Sequence, residues 1–312
     1  MVLLGFDIGG TKSAVVFGDE KGNIFYRQKI PTSSPEQTLK KLFELAKKSG
    51  YIAERAGVSC GGPLDEKAGV IKSPPNLKGW DNVPITDMIE KEFNIPANLR
   101  NDANACALAE WRLGAGKGSK NMIFLTFGTG LGAGLILNGQ LYSGANGNAG
   151  EVGHIRMAKN GPTGFGKAGS FEGFVSGGGI AQMGKKYAQD CFQKGIECGF
   201  CKSEKDLDTI NAKSIAIAAK NGDKGALKIY QKCGKYLGKG LSVIVDILNP
   251  ETIVIGSIFA RNENFLIPTM EKELKKEALG VSLECVKIVP AKLGEKIGDY
   301  AALITALEEK YD

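Results

Sequence analysis

The sequence lacks several features that would mark particular classes of protein. It has one histidine in 312 residues, and no uncharged apolar stretch approaches the roughly 18 residues that a membrane span needs. Met1 leads directly into a short apolar run that Asp7 interrupts, so no signal peptide is expected. We therefore expect a cytoplasmic protein.

Charge and cysteine occur without the patterns that nucleic-acid binding or secretion requires. The net charge of +6 comes from scattered pairs such as Lys40-Lys41, without long basic blocks, which is typical of solvated helix faces. The seven cysteines, from Cys60 to Cys285, are odd in number and suit unpaired thiols in a reducing compartment. A chain of 312 residues that is 43% hydrophobic and 24% charged can form two domains, each with its own core.

Glycine is abundant, and two glycine-rich turns stand out, FDIGGTK at 6–12 and TFGTGLGAG at 126–134. Each follows a short apolar run, and without a Cβ the backbone N–H groups can converge on anionic oxygens such as those of phosphate. One such turn alone could merely join two strands, but two of them favour a nucleotide site. Asp7 would hold Mg²⁺, in many such sites through water, while Thr11 and Lys12 add a hydroxyl donor and a cation.

The second turn also fits the G-x-G-x-x-A spacing of a dinucleotide-binding fold, through Gly128, Gly130 and Ala133. That pattern is informative only when a helix follows the turn. Here a strand is predicted instead, and Asn138-Gly139 is a strong hairpin signal. An NAD-type site is therefore not expected.

The domain organisation follows from a polar, glycine-rich stretch at 114–120, where the chain is expected to cross between domains. The pattern of strand, glycine turn and strand then begins again, as expected for a duplicated architecture. We expect an N-terminal lobe over 1–117 and a C-terminal lobe over 118–298, with a last helix over 299–312 that packs back on the first lobe. The segment 191–208 is predicted to be a surface insertion of low order.

Asp102 stands where a predicted strand, NIPANLRN, passes into a predicted helix, ANACALAEWRL. Its carboxylate could cap the helix N-terminus. It could also act as a base, because phosphoryl transfer to an alcohol needs orientation and late removal of the hydroxyl proton. Both roles can coexist, and the polar residues that could bind vicinal sugar hydroxyls favour the base: Asn76, Asn101, Glu151, His154 and Glu172.

The only histidine, His154, has two interpretations. A lone histidine commonly makes a structural hydrogen bond. Its position in GANGNAGEVGH, after a glycine-rich turn and not on an apolar face, favours a functional role.

At these residues the sequence resembles the ROK family of sugar kinases, repressors and open reading frames. The resemblance covers nearly the whole chain through FDIGGTK, SPPNLKGW, NDANACALAE, FGTGLGAGLILNGQLYSGANGNAGEVGH, FEGFVSG and PETIVIGS. It implies a two-lobed, actin-like ATPase fold of the α/β, ribonuclease H-like class, with duplicated lobes and a cleft in which ATP and sugar meet. It also implies a homodimer.

The resemblance assigns expected roles residue by residue. Asp102 matches the catalytic base, and Gly256 matches the turn on the adenosine side. Asn101, Glu151, His154 and Glu172 match sugar contacts, and Asn76 is expected near the sugar. The expected phosphate contacts are Gly9, Gly10, Thr11, Gly128 and Thr129, with Lys12 and Gly130 completing the candidate cofactor-binding set.

The sequence departs from the family pattern at the usual zinc site. Members usually bind zinc through the histidine of the GH pair and three cysteines, but Thr163, Phe165 and Ser170 stand where the thiols would be. We therefore expect the usual zinc site to be absent, because these side chains cannot complete a thiolate site with His154. An alternative set is Cys191, Cys198 and Cys201 with His154; free thiols on a loop or a local disulfide are the simpler interpretation.

The leading hypothesis is an ATP- and magnesium-dependent kinase, glucokinase-like, that phosphorylates a hexose hydroxyl at carbon 6. The second hypothesis is a transcriptional regulator of the same family; those carry an N-terminal helix-turn-helix, for which the phosphate turn near residue 6 leaves no room. The third is a sugar-binding protein or pseudokinase without turnover, against which the intact Asp7, Asp102 and glycine turns argue. No nucleic-acid or membrane partner is expected.

Overall fold

The computed structural model describes residues 1–308, which divide into two compact units. The first unit contains Met1–Phe124, Gly134–Ala149 and the chain from Lys292 onward. The second contains Leu125–Ala133 and Gly150–Ala291. No helix in the described part of the chain is both long and apolar enough to cross a membrane.

Helices and strands are both present in each unit, in the following order along the chain. The strands are β1 (Val2–Ile8), β2 (Lys12–Asp19), β3 (Ile24–Pro31), β4 (Arg55–Cys60), β5 (Leu64–Asp65), β6 (Val70–Ile71), β7 (Ala97–Asn101), β8 (Met122–Phe127), β9 (Leu131–Leu137), β10 (Gln140–Tyr142), β11 (Thr163–Gly164), β12 (Lys167–Ala168), β13 (Thr252–Ile255) and β14 (Lys287–Pro290). The helices are α1 (Pro35–Lys48), α2 (Ile85–Phe93), α3 (Asp102–Leu113), α4 (Phe171–Phe174), α5 (Gly177–Gln193), α6 (Ala212–Lys220), α7 (Lys224–Leu248), α8 (Ile258–Glu277), α9 (Gly280–Leu283) and α10 (Ile297–Thr305). Short 3₁₀ helices cover Val152–His154, Glu204–Thr209 and Gly294–Lys296.

Two five-stranded sheets share one strand order. The first runs β3-β2-β1-β4-β7 and the second β10-β9-β8-β13-β14, so that each places its first strand at the centre. In the first sheet β1, β2 and β3 are antiparallel neighbours, whereas β4 and β7 run parallel to β1. The repeated order confirms the expected mixed α/β class and duplicated architecture.

Local sequence signals account for several element boundaries. The side chain of Ser34 accepts a hydrogen bond from the N–H of Gln37 and caps α1, which has Pro35 in its first turn, as the sequence predicts. Asn138 and Gly139 take φ values of 55° and 76° and join β9 to β10 in the predicted hairpin. A strand, β9, follows the second glycine turn, in agreement with the argument against a dinucleotide site.

The inner strands of the first sheet, β1 and β4, are buried on both faces. Leu4, Phe6 and Val58 belong to a large core cluster that also contains residues of α1 and α2. On the other face, α10 packs so closely that a Cβ added to Gly57 would lie 2.2 Å from the carbonyl oxygen of Ala302. Gly57 therefore allows this helix to lie against the sheet.

The prediction of a low-order insertion over 191–208 is wrong in part. Helix α5 continues to Gln193, and a 3₁₀ helix begins at Glu204. Cys191, Cys198 and Cys201 are buried, with exposed fractions of 5%, 4% and 3%. The apolar character of these thiols explains why the segment turns them inward.

Candidate functional site

The carboxyl ends of three parallel strands define one edge of the first sheet. Ile8 of β1 pairs with Cys60 of β4, which pairs with Asn101 of β7. Asp7, next to the end of β1, and Asp102, the first residue of α3, therefore lie at the same edge, where ligands of open α/β sheets commonly bind. The two carboxylates are close enough for the charge of Asp102 to act on Asp7, so the fold brings the predicted metal-binding acid and the predicted base together.

The surroundings of Asp7 disfavour the ionised form of its carboxyl. Burial raises the pKa of its carboxyl from the ordinary value of 3.8 to about 6, with a further upward contribution from Asp299. The charges of Lys29 and Arg27 oppose that shift, and that of Asp102 adds to it. A bound cation would favour the ionised form, so the surroundings of Asp7 suit a positively charged ligand.

Asp102 is not the N-cap of α3, contrary to the structural interpretation of the sequence. The N-cap is Asn101, whose side-chain oxygen accepts a hydrogen bond from the N–H of Ala103 at 3.0 Å. Oδ1 of Asp102 accepts from the same N–H at 2.8 Å. The residue is exposed to solvent at the sheet edge, while the protein atoms around its carboxyl remove enough water to raise the pKa.

Asp299 joins this edge, although no pattern in the sequence marked it as a site residue. It lies in the first turn of α10, is only 2% exposed, and its Oδ2 accepts from Nε of Arg27 at 2.6 Å. Its Oδ1 is buried and has no hydrogen-bond partner within residues 1–308. A Cβ added to Gly298 would lie 2.5 Å from Oδ2 of Asp7, so glycine there permits the start of α10 to approach Asp7. We call Asp7, Asp102 and Asp299 the acidic cluster.

The first glycine turn, Gly9 to Thr11, lies beside Asn76. A Cβ added to Gly10 would lie 2.5 Å from the carbonyl oxygen of Asn76, so these two predicted site residues are in close contact. Thr32 holds the turn by donating its hydroxyl to the carbonyl of Gly9 at 2.6 Å and its N–H to the carbonyl of Thr11 at 3.0 Å. Gly10, Thr11, Lys12 and Asn76 are all exposed.

The second glycine turn, Gly128 to Gly130, is held by the start of α5. The carbonyl of Gly128 accepts from the N–H of Gly177 at 2.8 Å, and that of Thr129 from the N–H of Gly178 at 3.2 Å. Oε2 of Glu172 accepts from the N–H of Leu131 at 3.0 Å, immediately after the turn. The turn and Glu172 are therefore neighbours within the second unit.

Glu151 and His154 lie in the same region as Glu172. Gly153, between them, is packed so that an added Cβ would lie 2.3 Å from the carbonyl oxygen of Leu131 and 3.3 Å from Cβ of Glu172. Glu151 and His154 are themselves exposed. Glu172 and the segment that carries Glu151 and His154 thus lie beside Leu131, the first residue of the strand that follows the second glycine turn.

Gly256 forms the turn between β13 and α8. Its N–H donates to the carbonyl of Leu125 at 2.9 Å, and the next residue, Ser257, has a φ of 56°. Ile258 then lies against Gly177, where an added Cβ would be 3.2 Å from its Cδ1. Gly256 is therefore close to the residues that hold the second glycine turn.

The three residues that stand where the family pattern has zinc-binding cysteines make other contacts. Thr163 exchanges backbone hydrogen bonds with the side-chain amide of Gln182 at 2.9 Å and 2.8 Å. The ring of Phe165 packs edge-on against that of His154, with centroids 5.5 Å apart. Ser170 caps α4 by accepting from the N–H of Gly173 at 3.1 Å, and so supports the helix that carries Glu172.

The cysteines of the alternative zinc site, Cys191, Cys198 and Cys201, are unpaired. All seven cysteines are free thiols. Within residues 1–308 no group of three or more His, Cys, Asp or Glu side chains is arranged to hold a metal ion.

The structure thus gathers the predicted residues into two groups, one in each unit. The group in the first unit contains Asp7, Gly9, Gly10, Thr11, Lys12, Asn76, Asn101 and Asp102. The group in the second unit contains Gly128, Thr129, Gly130, Glu151, His154, Glu172 and Gly256.

Comparison with known proteins gives consistent results. The model of the family described as "ROK family" matches residues 3–309. A glucokinase of Streptomyces coelicolor is 30% identical over 310 residues, which are 98% of this chain and 97% of that protein. A xylose repressor of Caldicellulosiruptor bescii is 28% identical over 94% of this chain and 75% of its own length.

A solved structure of a ROK family glucokinase from Streptomyces griseus, in complex with glucose and AMPPNP, superimposes with a TM-score of 0.81. It is 29% identical, and the match covers 99% of this chain and 100% of that one. The expected actin-like fold class is confirmed by this agreement.

Proposed function

This chain belongs to the ROK family, and from that membership we propose that it is an ATP-dependent hexose kinase of the glucokinase type, acting on the hydroxyl at carbon 6. The observation that carries the proposal is the solvent-exposed Asp102 at the sheet edge, beside Asp7. Similarity to glucokinases, one of them solved with glucose and AMPPNP, supports sugar phosphorylation by ATP.

In the proposed reaction Asp102 is the catalytic base. It orients the sugar hydroxyl and accepts its proton as the oxygen attacks the γ-phosphorus of ATP, and ADP leaves. The raised pKa of Asp102 favours this step, because a carboxylate short of water binds a proton more readily. Asn76, Asn101, Glu151, His154 and Glu172 bind the other hydroxyls of the sugar.

Both glycine turns are proposed to bind phosphate. Gly9, Gly10, Thr11 and Lys12 form one set, and Gly128, Thr129 and Gly130 form the other, with Gly256 on the adenosine side. Backbone N–H groups in such turns are oriented before the ligand arrives, so binding requires little reorganisation.

The residues present fit a magnesium ion. Asp7 would hold it, directly or through water, and the buried Oδ1 of Asp299 lacks a partner that a metal-bound water would supply. When bound, Mg²⁺ neutralises charge on the β- and γ-phosphates. We further propose a cytoplasmic homodimer and lobes over 1–117 and 118–298, the first completed by the helix predicted over 299–312, of which residues 309–312 lie outside the described residues.

A coupled assay of ATP consumption tests the proposal against its alternatives. The sugars are glucose, mannose, fructose, allose, N-acetylglucosamine and N-acetylmannosamine, and NMR of the product identifies the phosphorylated carbon. Consumption of ATP on adding a hexose supports the kinase. Sugar binding without turnover would instead support a sugar-binding regulator or pseudokinase, a candidate that similarity to a xylose repressor favours. Salt-dependent retention of DNA would support a transcriptional regulator.

A further inference from the structure

The hairpin formed by β11 and β12 has an unusual residue at its tip. Thr163 pairs with Ala168 and Gly164 with Lys167, which leaves Phe165 and Gly166 as a two-residue turn with φ values of 42° and 75°. A bulky residue with positive φ is rare, because its Cβ crowds the backbone. Such strain persists where the surrounding structure or the function requires it.

The chain contains its own reference for this turn. The hairpin of β9 and β10 turns at Asn138 and Gly139 with φ values of 55° and 76°, nearly the same geometry. Asn-Gly is the preferred pair for such a turn, since asparagine tolerates positive φ. Phe165 therefore occupies a position where asparagine would suit the backbone better, and local folding does not explain it.

The Phe165 side chain does not contribute to the core either. It is 75% exposed, and the aromatic ring that it contacts is that of His154, with centroids 5.5 Å apart and planes at 82°. This is an edge-to-face pair of the favourable kind. The ring thus packs on a residue to which the proposed function assigns sugar binding.

Further contacts tie the same hairpin to the same segment. Nζ of Lys167 donates to the carbonyl oxygen of His154 at 2.6 Å. Nη1 of Arg156 donates to the carbonyl of Ala168 at 2.8 Å. The hairpin therefore restrains both the backbone and the ring of His154, while the ring itself stays exposed and able to bind a ligand.

We propose that Phe165 is a positioning residue, which holds the imidazole of His154 in the orientation that binds the sugar. This inference rests on the proposed function, in which His154 contacts the sugar. A fixed imidazole binds a hydroxyl without first losing rotamer freedom, so removal of the Phe165 ring should weaken sugar binding more than it slows the chemical step.

The test uses Phe165→Asn, which favours the hairpin and removes the ring. We expect its free energy of unfolding to equal or exceed that of the parent protein. The KM for the sugar should rise about 3- to 10-fold, the effect of losing one aromatic pair, with kcat within about 2-fold. Phe165→Tyr should restore the parent KM. The matched control, Asn138→Phe in the other hairpin, should leave KM unchanged.

NMR reports directly on the proposed contact. Because His154 is the only histidine, a tag-free protein with labelled histidine gives imidazole signals that need no assignment. Phe165→Asn should shift these signals in the free protein, and Asn138→Phe should not. Unchanged signals, or a KM within 2-fold of the parent value, would overturn the proposal. If sugar shifts the imidazole signals of the parent protein but no turnover occurs, only the proposed kinase activity is rejected. The proposal for Phe165 is then tested with the sugar affinity measured from those shifts in place of KM.

Discussion

The two glycine turns have similar sequences but different surroundings. The first lies next to the acidic cluster of Asp7, Asp102 and Asp299, where burial and, after it, like charges raise the pKa of Asp7 to about 6. The second is held by N–H groups at the start of α5, and its neighbouring acid, Glu172, accepts a backbone hydrogen bond. The first region therefore suits a cation and proton transfer, whereas the second offers a turn held in place by hydrogen bonds. Similar turn sequences can thus stand in different electrostatic and hydrogen-bonding surroundings.

The largest expected effect comes from the acidic cluster. Asp102→Asn should lower kcat about 10³-fold, within the range for loss of a general base, because the amide cannot accept the hydroxyl proton. Sugar affinity, measured by calorimetry, should stay within a few-fold of the parent value. Asp208→Asn, at a position whose side chain is 97% exposed, is the control and should leave turnover unchanged. Activity of Asp102→Asn within a few-fold of the parent would reject Asp102 as the base.

The next largest effect is the pH dependence of the free energy of unfolding, to which Asp7, beside the first glycine turn, contributes. The folded-state pKa of Asp7 lies above its ordinary value of 3.8, so the folded protein binds the proton more tightly than the unfolded chain does. The resulting stabilisation is complete below about pH 4 and is lost as the pH rises through about 6. Because one pKa unit corresponds to about 1.4 kcal/mol, the loss amounts to at most about 3 kcal/mol.

Urea unfolding between pH 4 and 8 measures this loss. Asp7→Asn should show a smaller decrease in the free energy of unfolding than the parent protein, since the amide does not ionise. Added Mg²⁺ should stabilise the parent protein at pH 8 but not Asp7→Asn. If the free energy of unfolding depends on pH in the same way in both proteins, the raised pKa of Asp7 in the folded protein is contradicted.

The same substitution in each turn provides a smaller, matched comparison. In Gly10→Ala the new Cβ would lie 2.5 Å from the backbone oxygen of Asn76, so we expect a loss of about 1–3 kcal/mol in the free energy of unfolding. At Gly128 an added Cβ meets no atom within 4 Å, and Gly128→Ala should change stability by less than about 0.5 kcal/mol. Equal losses in urea unfolding would show that the two turns are packed alike.

The smallest expected effect is that of zinc removal. Thr163 and Ser170 are engaged by Gln182 and by the start of α4, so these positions depend on contacts that need no metal. Treatment with a zinc chelator, followed by restoration of Mg²⁺, should leave kcat and KM unchanged. One tightly bound zinc per chain, lost together with sugar affinity, would contradict this expectation.

Sequence reasoning succeeded where the signal is local. The cap at Ser34, the Asn138-Gly139 hairpin and the strand after the second glycine turn all follow from backbone preferences within a few residues. It misjudged the N-cap of α3, because Asn101 and Asp102 are both good capping residues and only the backbone geometry chooses between them. Nothing in the sequence around Asp299 marked it, since a carboxylate in the first turn of a helix is common.

The sequence by itself determined the family, the duplicated order of strands and turns, and the identity of the polar residues available for chemistry, because these depend on local periodicity and on motifs. Only the tertiary structure decided which charges meet. Nε of Arg27 and Oδ2 of Asp299 belong to residues 272 positions apart in the chain and lie 2.6 Å apart in the fold, and Phe165 packs on His154 through a hairpin that the sequence analysis did not predict. Electrostatic and packing energies depend on distance in space, so the pKa of Asp7 and the restraint on His154 arise only when the chain has folded.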